Sequence, residues 1–122
     1  ECLASYPLSQ VELELYDDLS LILAANQEVR RDGWFGFPWP NEFLVIGETG
    51  CGDLYFIRLG TSDRRVFLAD HEGGPAPTPR NLDEMVSADS LQLHVESIME
   101  AVAQVELWQK ERAVRKWWQF WR

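Results

Sequence analysis

The sequence predicts an α+β fold: a single domain in which an antiparallel sheet is flanked by an N-terminal helix and a long C-terminal helix. Three observations carry this. A helix-period apolar pattern opens the chain, three short apolar runs between turn residues fill its middle, and a longer helix-period pattern closes it. With 122 residues there is room for one hydrophobic core. Residues 1–122 are therefore read as one domain, with 109–122 as a basic, Trp-rich helical tail.

The first helix is predicted over 8–26, where Leu8, Val11, Leu15, Leu19, Ile22 and Leu23 recur at three- and four-residue spacing. Ser9 and Glu12 offer a capping box at its start, and its outer face is expected to be acidic. Residues 31–40 mix Gly33, Gly36, Pro38 and Pro40 with Trp34, Phe35, Phe37 and Trp39, the composition of a loop or short edge strand. Strands are expected at 43–47, 53–59 and 65–69, joined by turns short enough only for antiparallel hairpins. The stretch 73–79, rich in Gly and Pro, reads as a flexible or polyproline-like connector. Asp89 and Gln92 mark the start of the last helix, whose seam runs through Leu91, Val95, Ile98, Val102 and Val105 to Gln109.

Composition narrows the function classes. A chain with 46% hydrophobic and 25% charged residues can bury enough apolar surface to fold, which removes disorder from consideration. Charge is segregated: residues 1–108 hold 19 acidic against 6 basic side chains, summing to −13, whereas 109–122 hold 5 basic against 1 acidic, summing to +4. An acidic body repels phosphates, so nucleic acid is not an expected ligand, whereas a basic protein would be drawn to it. No apolar run reaches the length of a bilayer span, and Glu1-Cys2-Leu3-Ala4 lacks the basic-then-apolar pattern of a leader. Cys2 and Cys51 are too few for a disulfide framework and are read as reduced thiols in a cytoplasmic protein. At the C-terminal end, Trp108, Trp117, Trp118, Phe120 and Trp121 are interleaved with Lys110, Arg112, Arg115, Lys116 and Arg122. Docking on the acidic body, or homo-oligomerisation through this Trp-rich helix, is favoured over an anionic membrane surface.

Motifs for catalysis are weak. Gly47-Glu48-Thr49-Gly50-Cys51-Gly52-Asp53 spaces two glycines as a phosphate loop does, but Asp53 stands where the phosphate-binding Lys belongs. The glycines are instead expected to supply positive backbone dihedrals in a hairpin. Asp70-His71-Glu72 has metal-ligand chemistry, but successive residues of an extended chain point apart and His94 is the only other imidazole. No nucleophile elbow surrounds a Ser or Cys. No catalytic residue, metal or cofactor is therefore expected.

Phe37-Pro38-Trp39-Pro40, then Phe43-Leu44-Val45-Ile46-Gly47, Gly50-Cys51-Gly52-Asp53-Leu54-Tyr55-Phe56-Ile57 and Val66-Phe67-Leu68-Ala69-Asp70-His71-Glu72 together resemble the SUKH superfamily of bacterial immunity proteins and fungal cell-wall regulators. The resemblance covers residues 16–72. The proline-led N-terminal helix and Asn-Gly-Gly segment of many members are not evident, and the aromatic basic tail is not a general family feature. The resemblance implies an α+β domain that acts by binding another protein, in bacterial members a secreted toxin that is often a nuclease.

The resulting expectation is a cytoplasmic immunity protein, not an enzyme, that neutralises a basic toxin domain. The alternatives are a scaffold module of the same fold and a small metal-dependent hydrolase centred on Asp70-His71-Glu72. Aromatic anchors and loop carboxylates make Trp34, Trp39, Glu48, Asp70 and Glu72 the expected partner contacts. Gly47, Gly50, Gly52 and Asp53 are expected to be structural.

Overall fold

The structure, a computed structural model, describes residues 15–120. Its centre is a four-stranded antiparallel sheet of β1 (Phe43–Glu48), β2 (Leu54–Arg58), β3 (Val66–Ala69) and β4 (Val86–Ala88), in the order β1-β2-β3-β4. The first three coincide with the predicted runs to within a residue. The fourth was not foreseen; it returns from β3 through a 3₁₀ turn at Leu82–Glu84 that sets Leu82 and Met85 into the core.

Register aligns the large apolar residues on one face. Val45 opposes Phe56, and Phe56 opposes Phe67, all without solvent exposure. Ring centroids lie 4.9 Å apart for Phe43 and Phe56, 5.4 Å for Phe56 and Phe67, and 5.2 Å for Trp39 and Phe56. Such pairs add a directional term to burial.

Helix α1 spans Leu19–Asp32 and packs against β1. This corrects the predicted range. Asp18 caps the helix, its carboxylate accepting from the Ser20 N–H at 2.8 Å, so Leu15 and Tyr16 precede the helix. Residues 8–14, with the Ser9/Glu12 box, lie outside the described residues. The buried seam is Ile22, Ala25, Asn26 and Val29, whereas Leu19 and Leu23 face solvent, so the outer face is partly apolar as well as charged. Gly33 ends the helix at φ 76°, and a side chain there would meet the Phe37 carbonyl oxygen at 2.7 Å.

Strand β1 is an edge, yet its outer polar groups are occupied. The Trp39 indole N–H donates to the Phe43 carbonyl at 2.9 Å. Asn26 Nδ2 donates to the Val45 carbonyl at 2.9 Å, and its Oδ1 accepts the Val45 N–H at 2.8 Å. The Tyr16 N–H donates to the Ile46 carbonyl at 2.8 Å, where a register shift between Val45 and Gly47 turns that carbonyl outward. Three residues from three segments thus do the work of a fifth strand and close the edge to other chains.

Helix α2, Leu91–Phe120, begins at Ser90 rather than Asp89; the Ser90 hydroxyl accepts from the Leu93 N–H at 3.1 Å. His94 on its first turn is buried against Tyr55, with ring centroids 4.6 Å apart. Because Tyr55 and Phe56 point to opposite faces of β2, this turn covers the reverse side of the sheet. From Glu106 onward every described side chain is exposed. The expected docking of the tail on the acidic body is therefore corrected: Trp108, Trp117 and Trp118 stand in solvent, because the helix runs past the short sheet. Trp121 and Arg122 lie outside the described residues. No described helix is long and apolar enough to cross a membrane. The 73–79 connector is anchored, not loose: Pro77 is buried, and Asn81 Nδ2 donates to the Ala76 carbonyl at 2.9 Å.

Candidate functional site: an acidic end of the sheet

Glu48 opposes Leu54 and Leu54 opposes Ala69, so the end of β1, the start of β2 and the end of β3 form one row. That register gathers Glu48, Asp53, Asp70 and Glu72 at one end of the sheet, although they are spread over 25 positions of sequence. Helix α1 adds Glu28 and Asp32, one turn apart, which share a cavity of about 290 Å³ with Glu48, Tyr16, Trp34 and Phe35. Burial, then the neighbouring Glu48 charge, pushes the Tyr16 phenol well above its ordinary range, so it stays protonated.

The carboxylates divide by partner. Asp53 is consumed by structure: one oxygen accepts the His71 N–H at 3.0 Å and also pairs with His71 Nδ1. This contact holds the His71 imidazole above its ordinary pKa. It ties the turn after β3 to the hairpin between β1 and β2. Asp70 and Glu72 are exposed, and Asp70 accepts the Glu72 N–H at 2.8 Å, which shapes the turn. Asp53, Asp70 and His71 each offer an atom within 4.8 Å of the others, the geometry of a weak cation site.

Of the five expected contacts, Glu48, Asp70 and Glu72 meet at this end. Trp39 is corrected: it is 5% exposed in the core cluster and its N–H is spent on β1, whereas Trp34, 7% exposed in the same cluster, still lines the cavity. The solvent-facing rings of that loop are Phe35 and Phe37, 68% and 59% exposed. A tight bridge between Trp34 and Phe37 reverses the chain and sets this alternation. Sequence reasoning missed Glu28 and Asp32; their four-residue spacing beside the helix stop at Gly33 is the signal that carried them.

The glycine hairpin is structural, with a correction. Gly52 alone of its three glycines has positive φ, at 98°; Gly47 sits buried in β1 and Gly50 takes an ordinary conformation. Thr49 does the remaining work, its hydroxyl accepting from the Cys51 and Asp53 N–H groups at 3.3 and 3.2 Å. Cys51 is disulfide-bonded, which corrects its reading as a reduced thiol; two residues so far apart in sequence give no pattern from which to foresee a bond. Cys2 lies outside the described residues. No family model, curated protein or solved structure matches the chain.

Proposed function

We propose that the chain is a protein-binding module of immunity type, which neutralises a basic toxin domain, a nuclease or other nucleic-acid-modifying enzyme, by covering it with the acidic end of its sheet. The observation that carries this reading is the convergence of Glu28, Asp32, Glu48, Asp70 and Glu72 around one end, fed from α1, β1 and the turn after β3. An acidic surface steers a basic partner to itself and competes with nucleic acid for the same cationic groups. The core aromatics and the Asp53 clamp hold this surface in place, so little ordering is required on binding.

The reading places the chain in the cytoplasm of the toxin-producing cell. The Cys51 disulfide pulls the other way, since disulfides persist mainly in oxidising compartments. Thiol trapping in intact cells decides the compartment. The function is tested by capturing partners from the source lysate at low and high salt and assaying the captured protein. One basic protein whose toxic activity is blocked by this chain, and which is captured less well at high salt, supports the reading. Capture of several unrelated proteins with no activity blocked favours a scaffold module.

A metal-dependent hydrolase has the Asp53, Asp70 and His71 grouping in its favour. The commitment of Asp53 to His71 weighs against it, because a metal would have to displace that contact. Metal retained stoichiometrically after purification without chelator, together with hydrolytic activity, would establish the hydrolase in place of the binding module.

A further inference from the structure

We propose that the cavity between α1 and the end of β1 is a receptor for a single arginine side chain presented by the basic partner; the occupant's source rests on the binding reading above. At about 290 Å³ the cavity falls just below the range of about 300–1,000 Å³ typical of cofactor and small-molecule sites. At that size it has room for one long side chain.

Its lining sets the charge and shape of the occupant. Glu28, Asp32 and Glu48 reach it from two different elements, and among the described residues no Lys or Arg lines it. Glu28 and Glu48 take part in no ion pair among the described residues, although Glu48 also hydrogen-bonds the Tyr16 phenol, a neutral partner that leaves its charge in place. Asp32 is paired with Arg31 at 2.9 Å, but both groups are exposed, and such surface pairs exchange at little cost. Trp34 and Phe35 supply aromatic wall, packed edge to face with centroids 4.8 Å apart. Apolar Ala25, Val29 and Leu54 complete it, lowering the local dielectric and strengthening the field of the carboxylates. Carboxylates above aromatic and aliphatic wall match a guanidinium, whose planar fork bonds carboxylates while its face and methylene stem pack on rings. An ammonium fills the charge requirement but not the planar one.

The test is an NMR titration of the full chain with acetyl-Gly-Arg-Gly-amide, and separately with the neutral citrulline analogue. The proposal expects saturable shifts at Trp34, Phe35 and Glu48 with the arginine peptide and none with citrulline. Glu48→Gln should weaken binding about tenfold, the size of one charge-assisted hydrogen bond. Because Glu48 also faces Tyr16, Glu28→Gln on exposed helix surface provides a second variant and should weaken binding at least severalfold. Equal binding of both peptides, or shifts that map elsewhere, would overturn the proposal. So would the same shifts arising from protein concentration alone, which would assign the cavity to the basic tail of a second copy. If the peptide fails but a toxin is still neutralised, the cavity falls and the binding reading stands. If the peptide binds as expected and no toxin is neutralised, the arginine site stands and the immunity reading falls.

Discussion

Asn26 is the residue whose loss the structure makes most legible. It sits buried in the middle of α1, and its amide spans to the edge of the sheet with three hydrogen bonds: Nδ2 to the carbonyls of Ile22 at 2.8 Å and Val45 at 2.9 Å, and Oδ1 from the Val45 N–H at 2.8 Å. Asn26→Ala leaves the N–H and C=O of Val45 buried without partners. At about 1–3 kcal/mol for each orphaned group, less some relief from a water entering the vacated space, the expected loss is roughly 2–4 kcal/mol. Asn26→Asp keeps the acceptor and loses the donor while introducing charge. Its deficit should therefore shrink at acid pH, where the carboxyl regains a proton to donate. Urea titration measures both: an m-value of about 1–2 kcal/mol/M converts the Ala loss to a midpoint shift on the order of 2 M. The control is exposed Gln27→Ala, expected within about 0.5 kcal/mol of the parent. An Asn26→Ala midpoint no lower than that control would refute the account of a side chain substituting for a strand.

Trp39→Phe removes the donor to the Phe43 carbonyl but keeps a ring against Phe56; it should cost about 1–3 kcal/mol of stability and leave partner affinity unchanged once the chain is folded. The contact with Asp53 raises the His71 pKa, so its stabilisation is fully present below the ordinary imidazole value of about 6.5 and is lost as pH rises through the raised value. Urea midpoints across that window should therefore fall more steeply for the parent than for His71→Gln, and parallel curves would refute the clamp. Reduction of the Cys51 disulfide should lower stability by about 2–4 kcal/mol while leaving the β-sheet circular dichroism signal in place, read by thermal melts with and without reductant. Glu28→Gln, on exposed surface, should leave the melting temperature unchanged while weakening capture of a basic partner; Glu72→Gln should do the same with a slight drop in melting temperature, since it also gives up an exposed contact with His71 at 3.6 Å.

The first three strands were legible because apolar runs bounded by Gly, Asp and Ser are a local pattern, and pairing of adjacent hairpins requires no distant information. Helix α1 was half legible. Its leucines recur at helical spacing, but the face that packs is Ile22, Ala25, Asn26 and Val29, and a polar residue in the buried seam carries no weight in a search for apolar periodicity. Strand β4 has three residues, too few to show alternation. The inward Trp34 and Trp39 and outward Phe35 and Phe37 were illegible for a different reason: a turn has no fixed period, so residue type alone does not say which rings face the core. In the site, the loop carboxylates were visible as loop residues. The contribution of α1 was not, because Glu28 and Glu48 meet only after the helix is laid against β1.

Folding and binding draw on different members of the same chemical set. Asp53 and Asn26 are spent on backbone groups that the fold would otherwise leave unpaired, so their polarity is explained without any partner. Glu28 stands in solvent beside half-buried Glu48 at the cavity, and Asp70 and Glu72 stand in solvent after β3. Asp70 shapes its own turn, Glu72 pairs with the His71 imidazole at 3.6 Å and Glu48 with the Tyr16 phenol, local contacts that still leave carboxylate charge facing outward. That outward charge is what a cationic surface would meet, which is why the acidic end, rather than the scattered exposed aromatic rings, carries the functional reading. Beyond Glu106 every described side chain of the basic helix is exposed, so these positive charges are not spent on covering the acidic end.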